Sequence, residues 1–173
     1  MLSSRQKEET ENPRWIHPQP VERYHELRTG DGKLASIRWA AGRGTLAHAQ
    51  WGAHIWSFKR YGFLQPRVMI RREGSDVAVA RFEPNLSGGG TLRLESGGEY
   101  RLVGNFWRGE WRWTGGGGED LVGFKRDFSV SEKNEGHLTA TSRRLEEERI
   151  QLLILLGWYV VIMMADDAAN SVL

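Results

Sequence analysis

Ile150-Gln151-Leu152-Leu153-Ile154-Leu155-Leu156-Gly157-Trp158-Tyr159-Val160-Val161-Ile162-Met163-Met164-Ala165 is the stretch whose reading decides the fold. No charge interrupts it between Arg149 and Asp166, and on a helical wheel its apolar residues fall on every face instead of along one stripe. Such a helix has to be surrounded completely, by protein or by lipid. Its thirteen large apolar side chains represent a gross burial term of roughly 20–40 kcal/mol, an upper bound before chain entropy is subtracted. Whatever encloses this segment therefore determines the architecture.

Two enclosures compete. At about 1.5 Å per residue the stretch spans about 24 Å, roughly a turn short of a ~30 Å hydrocarbon core, and Gln151 lies within it. Lipid would also leave the rest of the chain to find another core, with no second strongly apolar element to supply one. The other candidate is a β-sheet closed around the helix. About eight strands fill a barrel with their own side chains, whereas eleven or twelve leave room for an axial helix.

Upstream of the helix the chain reads as the strands such a barrel needs. Runs at Val21–Thr29, Lys33–Ala40, Thr45–Trp51, Ala53–Arg60, Arg67–Arg72 and Val77–Phe82 are separated by turn residues, among them Gly30-Asp31-Gly32 and Gly42-Arg43-Gly44. Thr91–Glu95, Tyr100–Phe106, Glu110–Thr114, Leu121–Lys125, Asp127–Ser131 and His137–Thr141 complete the series. The prediction is an all-β domain: a closed antiparallel barrel of about 12 strands enclosing a hydrophobic C-terminal α-helix over about 143–165. Closure also removes the exposed edges that a chain with 8 Trp and many β-formers would otherwise present. Residues 1–20, polar and carrying Pro13, Pro18 and Pro20, read as a disordered lead, so the barrel domain is expected over 21–173. Trp15-Ile16 is an apolar pair within the lead, a cap for an open barrel end or a docking motif for a protein partner. Trp56-Ser57-Phe58-Lys59-Arg60 faintly echoes Val122-Gly123-Phe124-Lys125-Arg126, as two duplicated half-barrels or chance would give.

Composition bounds the function. At 173 residues one domain suffices, and 24 basic against 22 acidic residues leave a net charge of +2, so the basic pI does not by itself predict nucleic-acid binding. Cysteine is absent, which removes disulfides, thiol catalysis and cysteinyl zinc sites and fits a reducing cytoplasm. The amino terminus has no apolar signal core, so a cytoplasmic location, at most peripheral at a membrane, is expected. The glycine runs Ser87–Gly90 and Gly115–Gly118 lie between strands without the following Lys-Ser or Lys-Thr and helix of a phosphate loop. The five histidines are dispersed, and the carboxylates fall in turns and in Glu146–Glu148. The expectation is no catalytic residues, no metal and no cofactor.

The sharpest local signal is basic. Lys59, Arg60, Arg67, Arg71 and Arg72 put five cations into fourteen positions before the first acid, Glu73. With Val68 and Ile70 inward, Arg67, Met69 and Arg71 point outward on one face. Phe106-Trp107-Arg108-Gly109-Glu110-Trp111-Arg112-Trp113 interleaves aromatics with cations as single-stranded nucleic-acid platforms do, but Trp111 and Trp113 share one strand face that core packing explains equally well, so nucleic acid is not expected as a partner.

The strand series from about Val21 to Thr141, followed by Leu152–Met164, resembles the tubby carboxy-terminal-like superfamily, which includes tubby proteins, LURP-one-related proteins and phospholipid scramblases. The closest likeness is to its small bacterial members. The resemblance covers some 150 residues and is architectural. It implies a non-enzymatic module binding phosphoinositide-like anionic headgroups on a basic barrel face, with Lys59, Arg60, Arg67, Arg71 and Arg72 as contacts. A solvated barrel exterior, a structural or protein-interaction module, and a tail-anchored membrane protein stay open as alternatives.

Overall fold

A computed structural model describes residues 12–30, 32–42, 44–127 and 134–171. Twelve antiparallel strands close into one barrel in which each strand pairs with its neighbours in sequence and the first pairs with the last. They are β1 (Arg14–Ile16), β2 (Tyr24–Thr29), β3 (Gly32–Trp39), β4 (Ala47–Trp51), β5 (His54–Tyr61), β6 (Arg67–Arg72), β7 (Ala78–Pro84), β8 (Gly90–Leu94), β9 (Glu99–Asn105), β10 (Glu110–Thr114), β11 (Asp120–Asp127) and β12 (Glu135–Thr141). The helix α1 (Glu147–Asn170) follows and fills the lumen, with Ile150 through Met163 buried without interruption. By composition this helix would also pass as a membrane span; here the barrel encloses it.

The strands alternate as a half-wet sheet must. Ala35, Ile37 and Trp39 of β3, Trp56 and Phe58 of β5, Val68 and Ile70 of β6, Ala80 and Phe82 of β7, and Trp111 and Trp113 of β10 face the helix. Small inward residues, Ala35, Ala47, Ala49 and Ala80, make room for the helix between the large ones. Gly157 sits where β10 and β11 press closest, since a Cβ there would lie 2.6 Å from the Phe124 ring and 2.8 Å from Trp113 Nε1. Trp113 Nε1 donates to the Leu153 carbonyl at 2.7 Å, so the same ring that crowds the helix also bonds it.

Polar groups at the two mouths hold the helix in register. At the entry mouth Gln151 Oε1 pairs with His54 Nδ1 at 3.0 Å, Arg72 pairs with Glu148, and Arg149 donates to the Tyr100 hydroxyl at 3.1 Å. At the exit mouth Arg23 meets Asp166 at 2.6 Å, and Arg60 grips Asp167 with bonds of 2.6 and 3.0 Å. Asp166 and Asp167 oppose the helix dipole, a cost of about 0.3–1 kcal/mol each when exposed. The guanidinium groups of Arg23, just before β2, and Arg60, on β5, offset it, and the helix runs on to Asn170 beyond the expected end near 165.

Three expectations are corrected. The helix begins at Glu147 instead of about 143, because Ser142 to Glu146 carry the chain from the barrel wall to its axis and Glu146, at φ −55° and ψ 141°, is the non-helical residue before it. The lead does not extend to residue 20. Arg14–Ile16 is a strand that pairs with β2 and β12 and closes the ring, while residues 1–11 lie outside the described residues. Trp15 is fully buried and stacks on Trp158 at 5.5 Å with a 2° interplanar angle, so its ring belongs to the core. Leu121–Lys125 and the start of Asp127–Ser131 form one strand, β11, and the remainder of the latter run lies outside the described residues. The strands of the two echo segments, β5 and β11, stand six places apart in the ring of twelve.

His25 is a buried titratable group of this core. It accepts a hydrogen bond from Trp158 Nε1 at 3.3 Å on Nδ1 and packs edge-on to Trp39. Burial first, then the neighbouring charges of His17 and Arg23, push its pKa from the usual 6.5 down to about 3. The folded state thus holds His25 neutral, whereas the unfolded chain takes up a proton below about pH 6.5. Stability from this group is full above that pH and falls as pH drops toward 3, with a limiting slope of about 1.4 kcal/mol per pH unit. Urea midpoints measured from pH 7 to 5 are expected to decline less steeply in His25→Gln than in the parent protein; parallel profiles would contradict the assignment.

Candidate functional site

The five cations of the basic run do not form one cluster, because adjacent residues on a strand face opposite sides. Lys59, Arg67 and Arg71 stand on the outer wall of the β5–β6 hairpin. Arg60 and Arg72 have the inward parity and sit at opposite mouths, each paired with a helix carboxylate, Asp167 and Glu148. Of the five cations named from sequence, Arg60 and Arg72 thus pair with the helix ends, and Lys59, Arg67 and Arg71 remain on the exterior.

Those three are gathered around one ring. Lys59 Nζ lies 5.0 Å from the centre of the Tyr61 ring, and Arg71 Nη1 donates to the Tyr61 hydroxyl at 3.4 Å. Arg67 faces Tyr61 directly across the strand pair. Among the described residues none of Lys59, Arg67 and Arg71 has a carboxylate partner. Arg71 Nε makes no hydrogen bond either. Elsewhere on the wall cations are matched: Arg81 and Arg93 with Glu83 at 3.1 and 2.6 Å, Arg112 with Asp120 at 3.2 Å, and Lys125 with Glu110 at 3.5 Å. The β5–β6 face is therefore a local excess of positive charge on a chain whose overall balance is near neutral.

Other places are poorer in unmatched chemistry. A concavity of about 490 Å³ on the wall of β9 to β12 is lined by Arg108, Arg112, Lys125, Glu110 and Asp120, where two of the three cations are paired as above. Another of about 350 Å³ at the exit mouth contains the two Arg–Asp pairs that hold the helix. His48 faces outward and His54 inward, so they share no ligand position. Among the described residues no three His, Asp or Glu side chains gather around a common point. Trp111 and Trp113, the rings considered for base stacking, are buried, while Trp107 in the same run is exposed.

What the structure defines is a class: a closed twelve-stranded antiparallel barrel built around its own carboxy-terminal helix. Comparisons of the chain with protein-family models, with curated proteins and with solved structures found no match.

Proposed function

We propose that this barrel is a non-enzymatic binding module for anionic phospholipid headgroups, grouped by architecture with the tubby carboxy-terminal-like barrels and acting peripherally at a membrane surface. The observation that carries the reading is the Tyr61 cluster, where Lys59, Arg67 and Arg71 converge without a carboxylate among the described residues. Like charges held together repel, and a phosphate-bearing ligand relieves that repulsion while supplying acceptors to the guanidinium forks. Lys59, Tyr61 and Arg67 are exposed and Arg71 is half-buried on a strand pair whose inner face is locked to the helix, so the cluster is rigid and accessible together.

Vesicle flotation tests this. The full chain is expected to prefer vesicles containing phosphatidylserine or phosphoinositide over phosphatidylcholine alone, with binding weakened by salt. At about 1 kcal/mol per cation near an anionic surface, the triple variant Lys59→Glu, Arg67→Glu, Arg71→Glu should lose about a hundredfold or more in affinity. Its thermal midpoint should stay near the parent's. Arg60→Glu and Arg72→Glu should instead lower the midpoint, because each puts like charges face to face at a helix end. No preference for anionic vesicles at moderate salt would sink the reading.

A further inference from the structure

In an up-and-down barrel alternate connections fall at the same end, so the loops β1–β2, β3–β4, β5–β6, β7–β8 and β9–β10 surround the mouth through which the helix emerges. Four of these loops present large apolar side chains to solvent: Val21 (93% exposed), Phe63 (96%) with Leu64 (90%), Leu86 (109%) and Trp107 (89%). Among the described residues the opposite mouth has one comparable side chain, Val77. Side chains this size, exposed singly, would need no explanation; grouped at one end of a barrel they mark a contact surface.

Charge at the same rim indicates what that surface meets. Of the described carboxylates at this rim, Glu22, Glu83, Asp166 and Asp167 are each paired with an arginine, while Glu135 accepts from the backbone N–H of His17. Lys59 and Arg67, flanking Phe63 and Leu64, and Arg108, next to Trp107, have no carboxylate partner among the described residues. Apolar tips that include a tryptophan, bordered by unmatched cations, complement a bilayer interface: the tips enter the headgroup and upper acyl region, and the cations face phosphates. We infer that the barrel docks end-on to an anionic bilayer, inserting Phe63, Leu64, Leu86 and Trp107 as a crown around the exit mouth, with the Tyr61 cluster at the headgroup level beside it. This inference deepens the headgroup reading above and rests on it in taking a membrane as the partner.

Trp107 supplies the probe, since of the 8 tryptophans it is the exposed one: Trp51 is half-buried and the others are core. Tryptophan emission of the full chain is recorded with phosphatidylcholine vesicles, with and without phosphatidylserine, carrying acyl chains brominated near the glycerol. The expected result is quenching that requires phosphatidylserine, disappears in Trp107→Phe, and is lost together with at least tenfold in vesicle affinity in Phe63→Ser, Leu64→Ser, Leu86→Ser. That triple variant should keep the parent's thermal midpoint, because the three side chains touch no core. Binding to anionic vesicles without quenching would overturn the crown and leave the headgroup face standing. Quenching that is equal on neutral vesicles would keep the crown and remove the headgroup face. No binding to either vesicle, or a lipid-free dimer dissolved by the triple variant, would overturn the crown in favour of no membrane contact or of a second copy.

Discussion

Deleting residues 147–173 is expected to abolish the fold. Without α1 the inward rings and branched chains of the barrel, Ile37, Phe58, Ile70, Phe82, Leu92 and Trp113 among them, would line a wet lumen. The helix's own gross burial term, roughly 20–40 kcal/mol, exceeds the ~5–15 kcal/mol by which a typical domain is stable, so the strands have no margin to survive its loss. The truncated chain should show no cooperative urea transition and no near-ultraviolet circular dichroism, and should aggregate or bind an apolar dye. A full-length companion, Leu156→Lys, removes the ambiguity of truncation: an unpaired charge at this fully buried position should cost several kcal/mol. A cooperative transition near the parent's midpoint in either variant would mean that the helix is an accessory.

The second large effect is expected at Trp158. Its ring stacks on Trp15, its Nε1 donates to His25, and its edge lies over Gly136, where a Cβ would come within 2.7 Å of the ring. One side chain thereby ties the helix to β1, β2 and β12, the strands that close the barrel. Trp158→Ala should destabilise by about 3–5 kcal/mol through the cavity it leaves, a fall of about 10 °C or more in Tm for a chain this size. Trp158→Phe should lose less, since a ring remains to stack on Trp15 while the bond to His25 and part of the ring's packing go. Calorimetry on the two variants checks the order. A Trp158→Ala midpoint within a degree or two of the parent's would show that the seam is held elsewhere.

Much of this architecture is legible in the residues because the controlling signals are strong and local. A charge-free, stripe-free helix demands complete enclosure, and a dozen short runs between turn residues can supply it only by closing. The strand number nevertheless comes out through two compensating differences. β1 spans three residues between Pro13 and Pro18, too few for alternation to register, and Leu121–Lys125 and Asp127–Ser131 read as two runs although Leu121–Lys125 and Asp127 share one strand. What local pattern cannot show is tertiary partnership. Asp166 and Asp167 look misplaced at a helix C-terminus until Arg23 and Arg60, more than a hundred positions away, are seen beside them. His25 gives no sign of burial when read alone.

The candidate site is legible in composition and only half legible in geometry. Five cations in one hairpin are plain in the sequence, and strand alternation already separates Lys59 from Arg60 and Arg71 from Arg72. The organising role of Tyr61 depends on side-chain reach across the pair, which spacing does not show. Phe63, Leu64, Leu86 and Trp107 are visible one at a time as apolar residues near turns. Their common mouth emerges only once the connections are counted around a closed ring.

The central claim is that the apolar helix is enclosed by its own barrel, and the absence of cysteine from the sequence provides a clean test. Leu155 is fully buried at the middle of α1, so Leu155→Cys introduces a lone thiol on the barrel axis. In detergent-free and lipid-free buffer this thiol should resist a water-soluble maleimide until denaturant unfolds the chain, and then react completely. Reaction under native conditions at the rate of an unfolded peptide would place the helix outside the barrel and contradict the account.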